Sequence, residues 1–232
     1  MKRSHINRIM EKGLDFIEHE MRFHLPPFAR WSPRDWQNKG SECHEIVSHQ
    51  LGWDITDFGK GDFANTGLLL FTIRNGTLQD LDKLNGKTYA EKILLVRNGQ
   101  ITPTHFHFQK MEDIINRGGG RLVLQLWYST KDAGLNLRDN LHVSIDGTDN
   151  EVKPGGLVIL SPGESICLPP YLYHSFHAEG DDVLVGEVSC VNDDYIDNNF
   201  YENVGRFAGI DEDAEPLYLL YNDYTRYYRA GG

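Results

Sequence analysis

From Gly67 onward the chain changes period, and that change constrains the fold more than any other feature. LLLFTI, KILLVR, ITPTHFHF, RLVLQLWYS, LHVSIDG, LVILSP, ESICLPP, SFHAE and VLVGEVSCV are short apolar or alternating runs. They are too short for helices and rich in the β-branched and aromatic residues that suit a pleated surface. Turn signals separate them: Arg74-Asn75-Gly76, Arg97-Asn98-Gly99, Asp146-Gly147 and Ser161-Pro162-Gly163. Many short strands at regular spacing predict an antiparallel sandwich or barrel, so the chain is read as mostly β.

The first 66 residues follow another rule. Residues 4–23 are expected to form an amphipathic helix, with Ser4 as cap and Ile6, Ile9, Met10, Leu14, Ile17 and Met21 on one face. Gly13 interrupts that face and Phe16 lies off it. Pro26 and Pro27 end the helix. Ser32-Pro33 starts a short one, and residues 41–49 carry another. The expected organisation is a helical extension over residues 1–66 packed on a β-barrel of residues 67–232. The aromatic tail is read as a covering segment, with one more strand at residues 217–221.

Chemistry concentrates in residues 99–119. In a strand, His105 and His107 point the same way, and Glu112 follows after the chain has turned into the next strand. Two imidazoles and a carboxylate suit a divalent manganese, iron, nickel or zinc ion. A further ligand could come from His174 or His177. These lie three apart, on opposite faces of a strand, so only one can serve. Residues 118–120, all glycine, lack the following Lys-Ser/Thr of a phosphate loop and are read as a turn.

The spacing Gly99, His105-x-His107, Glu112, Gly119 resembles the first cupin motif, and Gly163, Pro169, His174 resembles the second. Tyr171 stands where that family usually has glycine, and Ala178 where it usually has asparagine. At closer range THFHFQKMEDIINRGGG, SPGESICLPPYLYHSF and VGEVSCVNDD resemble the D-lyxose isomerase family of cupin sugar isomerases, as do LPPFARWSP and LGWDITDFG. The resemblance implies a jelly-roll barrel and selects His174 over His177. It also implies D-lyxose to D-xylulose isomerisation, D-mannose to D-fructose as a related activity, manganese as the ion and a homodimer.

An aldose–ketose isomerase needs a base beside C1–C2 and a donor for the oxygen. Lys110, between His107 and Glu112, is either a solvated loop lysine or that donor. Glu187 is a charged residue in an apolar run, with Val185 and Ser189 on its face. Facing inward, its carboxyl is expected to have a raised pKa. Of Glu91 and Lys92, alternation turns one inward, and Lys92 is chosen for substrate binding. Asp193 and Arg206 follow the last barrel strand, where a loop could fold over the mouth.

Composition excludes several classes. A net charge of −11 on 232 residues argues against nucleic acid or an anionic membrane surface. The longest apolar stretches, such as residues 68–71, are a strand's worth and far from a membrane span. The start MKRSHINRIMEKG has no apolar core of a secretory signal. Three scattered cysteines make no disulfide framework, which fits a reducing cytoplasm. Zinc, iron, cobalt and nickel fit the same donors as manganese, so a metal-dependent cupin dioxygenase and a non-catalytic sugar-binding cupin stay open. Oxygen uptake distinguishes the first from an isomerase, and absence of turnover the second.

Overall fold

Two strands are far longer than their sequence runs suggest, and they organise the molecule. The computed structural model describes residues 1–81, 86–191 and 193–229. In chain order its strands are β1 (Gly52–Thr56), β2 (Leu68–Arg74), β3 (Tyr89–Val96), β4 (Thr102–His107), β5 (Glu112–Tyr128) and β6 (Leu141–Ile145). They continue with β7 (Thr148–Val152), β8 (Leu157–Leu160), β9 (Ser165–Leu168), β10 (Leu172–Cys190) and β11 (Asn198–Phe200). SFHAE and VLVGEVSCV, read as separate strands, are both part of β10.

Strands β5 and β10 pair antiparallel along most of their length and bend together, with register shifts after Glu179 and Leu184. On one side of the bend the ladder runs β1-β2-β3-β10-β5-β9-β6-β7; on the other, β11 pairs β4, β4 pairs β10, and β8 pairs β5. The two halves enclose one apolar core that includes Leu70, Leu94, Leu124, Leu160 and Val185. This is the expected jelly-roll arrangement. Residues 118–120 are therefore not a turn between strands but the bend within β5. At Gly119 (φ 95°) a Cβ would sit 2.0 Å from the Asp182 carbonyl oxygen, so only glycine lets the two backbones close. Across the bend, the inward-facing residues of β10 switch from even (His174, Phe176, Ala178) to odd (Val183, Val185, Glu187).

Strands β2 and β3 read as unbroken apolar runs because both of their faces are covered. Leu69, Phe71, Ile93 and Leu95 face a second core made with Ile6, Ile9, Met10, Phe16 and Ile17. These belong to helix α1 (Arg3–Asp15) and the π-turn Phe16–Glu20 that continues it. The helix begins one residue before the expected cap, and Ser4 inside it donates to Asp213 at 2.8 Å. Gly13 and Phe16 belong to the packed face. A Cβ on Gly13 would lie 2.3 Å from Leu69 Cδ2, so this glycine sets how closely α1 approaches the sheet.

Helix α2 (Pro33–Gln37) has the expected Ser32 cap, reciprocated by Asp35 as a capping box. Residues 41–49 form a 3-10 turn and α3 (His44–Ser48). Strand β1 lies inside the segment read as helical. Residues 217–221 form no strand; among the described residues they meet the sheet through one bridge, Trp53 to Leu220. The tail ends in α4 (Tyr224–Tyr227), and Leu219, Tyr221, Tyr224 and Tyr227 pack on Trp36. The tail thus covers its own chain, and these rings are not displayed to a second copy.

Candidate active site

Strand alternation carries His105 and His107 on β4 to the interior, and the first residue of β5 brings Glu112 beside them. Backbone pairing of His174 on β10 with His105 completes the cluster. Ligand nitrogens of the three histidines lie within 4.8 Å of one another, and all three rings are buried. Glu112 Oε1 is 3.5 Å from His107 Nε2 and 3.2 Å from His174 Nε2. His177 points outward, 3.7 Å from Glu179, as parity requires.

The ring orientations are set by the backbone. Nδ1 of His105 lies 2.8 Å from the Pro103 carbonyl, that of His107 3.2 Å from the Asp197 carbonyl, and that of His174 3.0 Å from the Leu172 carbonyl. A carbonyl only accepts, so each Nδ1 carries the proton and each Nε2 is left as a lone pair. His174 Nε2 is buried with no hydrogen-bond partner, although a carboxylate oxygen faces it. Acceptors facing acceptors in a dry site are costly without a positive charge between them. The donor set, nitrogens plus one carboxylate, therefore fits a divalent cation.

Burial, with the neighbouring imidazoles His174 and His107, pushes His105 well below its ordinary pKa. Burial and then Lys110 lower that of His107. Both rings are neutral at neutral pH, as ligation requires. The sign for stability follows. The unfolded chain binds protons on these residues below about pH 6.5 while the folded chain does not, so stability rises with pH there. Metal-stripped protein is expected to lose up to about 1.4 kcal/mol per pH unit for each imidazole as pH falls from 6.5 to 5. Thermal melts over that range check it, and a flat melting temperature contradicts it.

Beside this cluster runs a chain of alternating charges. Lys110 Nζ is 2.6 Å from Glu112 Oε2 and 2.8 Å from Glu187 Oε1. Lys92 Nζ is 3.3 Å from the same Glu187 oxygen and 3.8 Å from Asp194, and Arg206 joins Asp194 at 2.5 Å and Asp54 at 2.7 Å. Lys110 is buried, not a solvated loop lysine. Lys92 faces in and Glu91 out, where it pairs with Arg74. Glu187 faces in as expected, but its pKa moves the other way. Burial raises it, yet Lys110 and Lys92 on either side outweigh burial and hold the carboxyl below its ordinary range. Lys110 is held up by Glu112 and Glu187 against the downward push of burial. The two form a fixed charge pair.

Lys92, Lys110, Glu112, Glu187, Asp194 and Arg206 line one pocket with walls of Phe58, Leu68, Leu70 and Phe200. Asp193 is not among them: it lines a separate surface cleft with His49 and Asn75, and its Oδ1 accepts from the Tyr195 amide at 3.0 Å. Having turned back to close its own loop, it leaves the pocket to its neighbour Asp194. Asp54 shows the same sequence signal as Glu187, an acid inside an apolar run.

Asp197 had no signal in the sequence. Its two carboxylate oxygens accept from the Gln109 amide at 2.8 Å and the Lys110 amide at 3.0 Å, while its carbonyl holds His107. It positions both a histidine and the lysine. Asp197→Ala is expected to cost about 1–3 kcal/mol through two unpaired amides, and to weaken metal binding about 10–100-fold. Melting temperature and a metal titration measure the two effects.

Comparisons with known proteins place the chain in a family. Two curated relatives called D-lyxose/D-mannose isomerase match over 98% of this chain: that of Escherichia coli O157:H7 at 48% identity over 100% of its own length, and that of Serratia proteamaculans at 46% over 99%. Among solved structures, the L-ribose isomerases of Cellulomonas parahominis (with L-ribose) and Geodermatophilus obscurus share the fold. Each has a TM-score of 0.57 at 14% identity, covering 91% of this chain and 98% of theirs. A family model described as D-lyxose isomerase matches residues 1–224. With its whole described site inside that match, the chain belongs to the D-lyxose isomerase family.

Proposed function

We propose that this isomerase-family member is a metal-dependent aldose–ketose isomerase interconverting D-lyxose and D-xylulose, with D-mannose and D-fructose as a second pair. One observation carries the reading: a buried cluster of three ligand-ready imidazoles and Glu112 lies beside a buried Lys110–Glu187 pair. His105, His107, His174 and Glu112 hold the ion, with manganese preferred. When bound, such an ion supplies a Lewis acid for the two neighbouring oxygens at C1 and C2.

The remaining work falls to the chain. Glu187, kept ionised by its two lysines, takes the proton from C2 and returns it at C1. Lys110, kept protonated by its two carboxylates, donates to O1 as negative charge develops there, giving it a proton and taking back the O2 hydroxyl proton as the C2 carbonyl forms. Lys92 and Arg206 hold the sugar hydroxyls, and the apolar walls limit water around the enediol. Asp193, placed outside the pocket, carries no role in this reading. The working form is a homodimer and the compartment the cytoplasm. The family resemblance supports the dimer; the three scattered, unpaired cysteines support the compartment.

Anaerobic turnover of D-lyxose tests the proposal, using protein stripped of metal and reloaded with manganese. Ketose formation that depends on reloading and needs no oxygen is the expected result. Oxygen uptake without ketose would instead assign the site to a dioxygenase.

A further inference from the structure

The chain of ion contacts that starts at Glu112 ends at Arg206, a guanidinium whose charge is already answered. Arg206 comes from the loop after β11 and lines the pocket. Its Nη2 lies 2.7 Å from Asp54 Oδ2 and 2.5 Å from Asp194 Oδ2. Asp54 stands on β1 directly across from Leu70, a wall of the same pocket, and so backs Arg206 from the sheet. Asp54 Oδ2 has no hydrogen-bond partner among the described residues, and its tie to Arg206 is ionic. Arg206 Nη1 is also buried with no hydrogen-bond partner among the described residues, and so is the Tyr221 hydroxyl. Burial and then Asp54 push the Tyr221 pKa up, which keeps that hydroxyl neutral.

An arginine that recognises phosphate offers its planar fork to two anionic oxygens at once. Here one arm of the fork is taken by two carboxylates, and along the whole chain of contacts three cations (Arg206, Lys92, Lys110) face four carboxylates (Asp54, Asp194, Glu187, Glu112). The remaining arm, Nη1, is one buried NH2 group rather than a free fork. That suits a neutral acceptor such as a hydroxyl and leaves an arriving anion uncompensated.

Resting on the aldose isomerase reading, we propose that Arg206, neutralised by Asp54 and Asp194, determines specificity at the far end of the sugar. It takes a terminal hydroxyl and turns away sugars that carry a terminal phosphate or carboxylate. The pocket is thus restricted to unphosphorylated aldoses by two acids.

The test compares kcat/KM for D-mannose and D-mannose 6-phosphate in the wild type, Asp54→Asn, Asp194→Asn and Asp54→Glu. The wild type is expected to favour the free sugar by about 100-fold or more, since a desolvated like charge at this range is strongly repelled. Each Asp→Asn change, which keeps shape and removes charge, should move that ratio at least about tenfold toward the phosphate. Asp54→Glu should hold it. A second readout needs no turnover: titrating mannitol and mannitol 1-phosphate into the manganese-loaded proteins should show the same shift in relative affinity. An unchanged ratio in either Asp→Asn variant that melts like the wild type overturns the proposal, as does a wild type that takes both sugars equally. If the wild type isomerises neither D-lyxose nor D-mannose, the isomerase reading fails, while the polyol titration still decides the charge discrimination on its own.

Discussion

Glu187→Gln is expected to lower kcat by about 10²–10⁴-fold while leaving the bound metal in place. The side chain is buried, 2.8 Å from Lys110 and 3.3 Å from Lys92, and 3.4 Å from the Ser189 hydroxyl. Glutamine keeps the volume and an acceptor oxygen but cannot take a proton. Because Lys110 and Lys92 hold the carboxyl below its ordinary range despite burial, the base is present in its accepting form throughout neutral pH. A carboxyl held below its ordinary range is still ionised at pH 6, so Glu187 imposes no acid limb there. Steady-state kinetics with a metal analysis of each preparation make the check. Full metal content with near-complete loss of kcat supports the base assignment, whereas kcat within a few fold of wild type removes it.

His174→Ala is expected to be the more damaging change. Its Nδ1–H is committed to the Leu172 carbonyl, so Nε2 is a buried lone pair with no protein donor to satisfy it. Removing it leaves two imidazoles and Glu112, with one nitrogen fewer in a set that already relies on open positions for substrate. Since the ion's contribution to charge stabilisation is several kcal/mol, kcat/KM should fall by about 10³-fold or more. Metal should be lost on dialysis. His177→Ala, three residues along the same strand, should change neither, because that ring faces Glu179 on the outer side. Equal metal retention in the two variants would sink the assignment of His174.

One residue shows how a family pattern translates into backbone physics. Tyr171, standing where cupins usually have glycine, adopts φ 62°. This left-handed conformation costs about 1–2 kcal/mol in any residue with a Cβ. The ring is placed where it can offset that cost: it lies 5.3 Å from Phe106 and 6.0 Å from Phe108. The Tyr171 amide also donates to the His107 carbonyl at 2.9 Å. The turn therefore keeps its geometry and still delivers His174 to the cluster.

Local pattern alone determined a good deal. The short strands, the parity that turns His105, His107, Lys92 and Glu187 inward, the Ser32 cap and the outward His177 all follow from periods of 2.0 and 3.6 within a few residues. Other features depend on segments distant in the chain. The hydrogen bond from His107 to Asp197 joins residues 90 apart, and that between Lys110 and Glu187 spans 77. The choice of Asp194 over Asp193, the role of Asp54 behind Arg206, and the tail's burial on Trp36 are likewise set by which loops and strands meet. The direction of the Glu187 shift illustrates the reason. A run of neighbours predicts burial, and burial by itself raises a carboxyl pKa. Burial is the largest single effect, but two lysines from another strand and a loop, a few ångströms away in a dry pocket, together outweigh it.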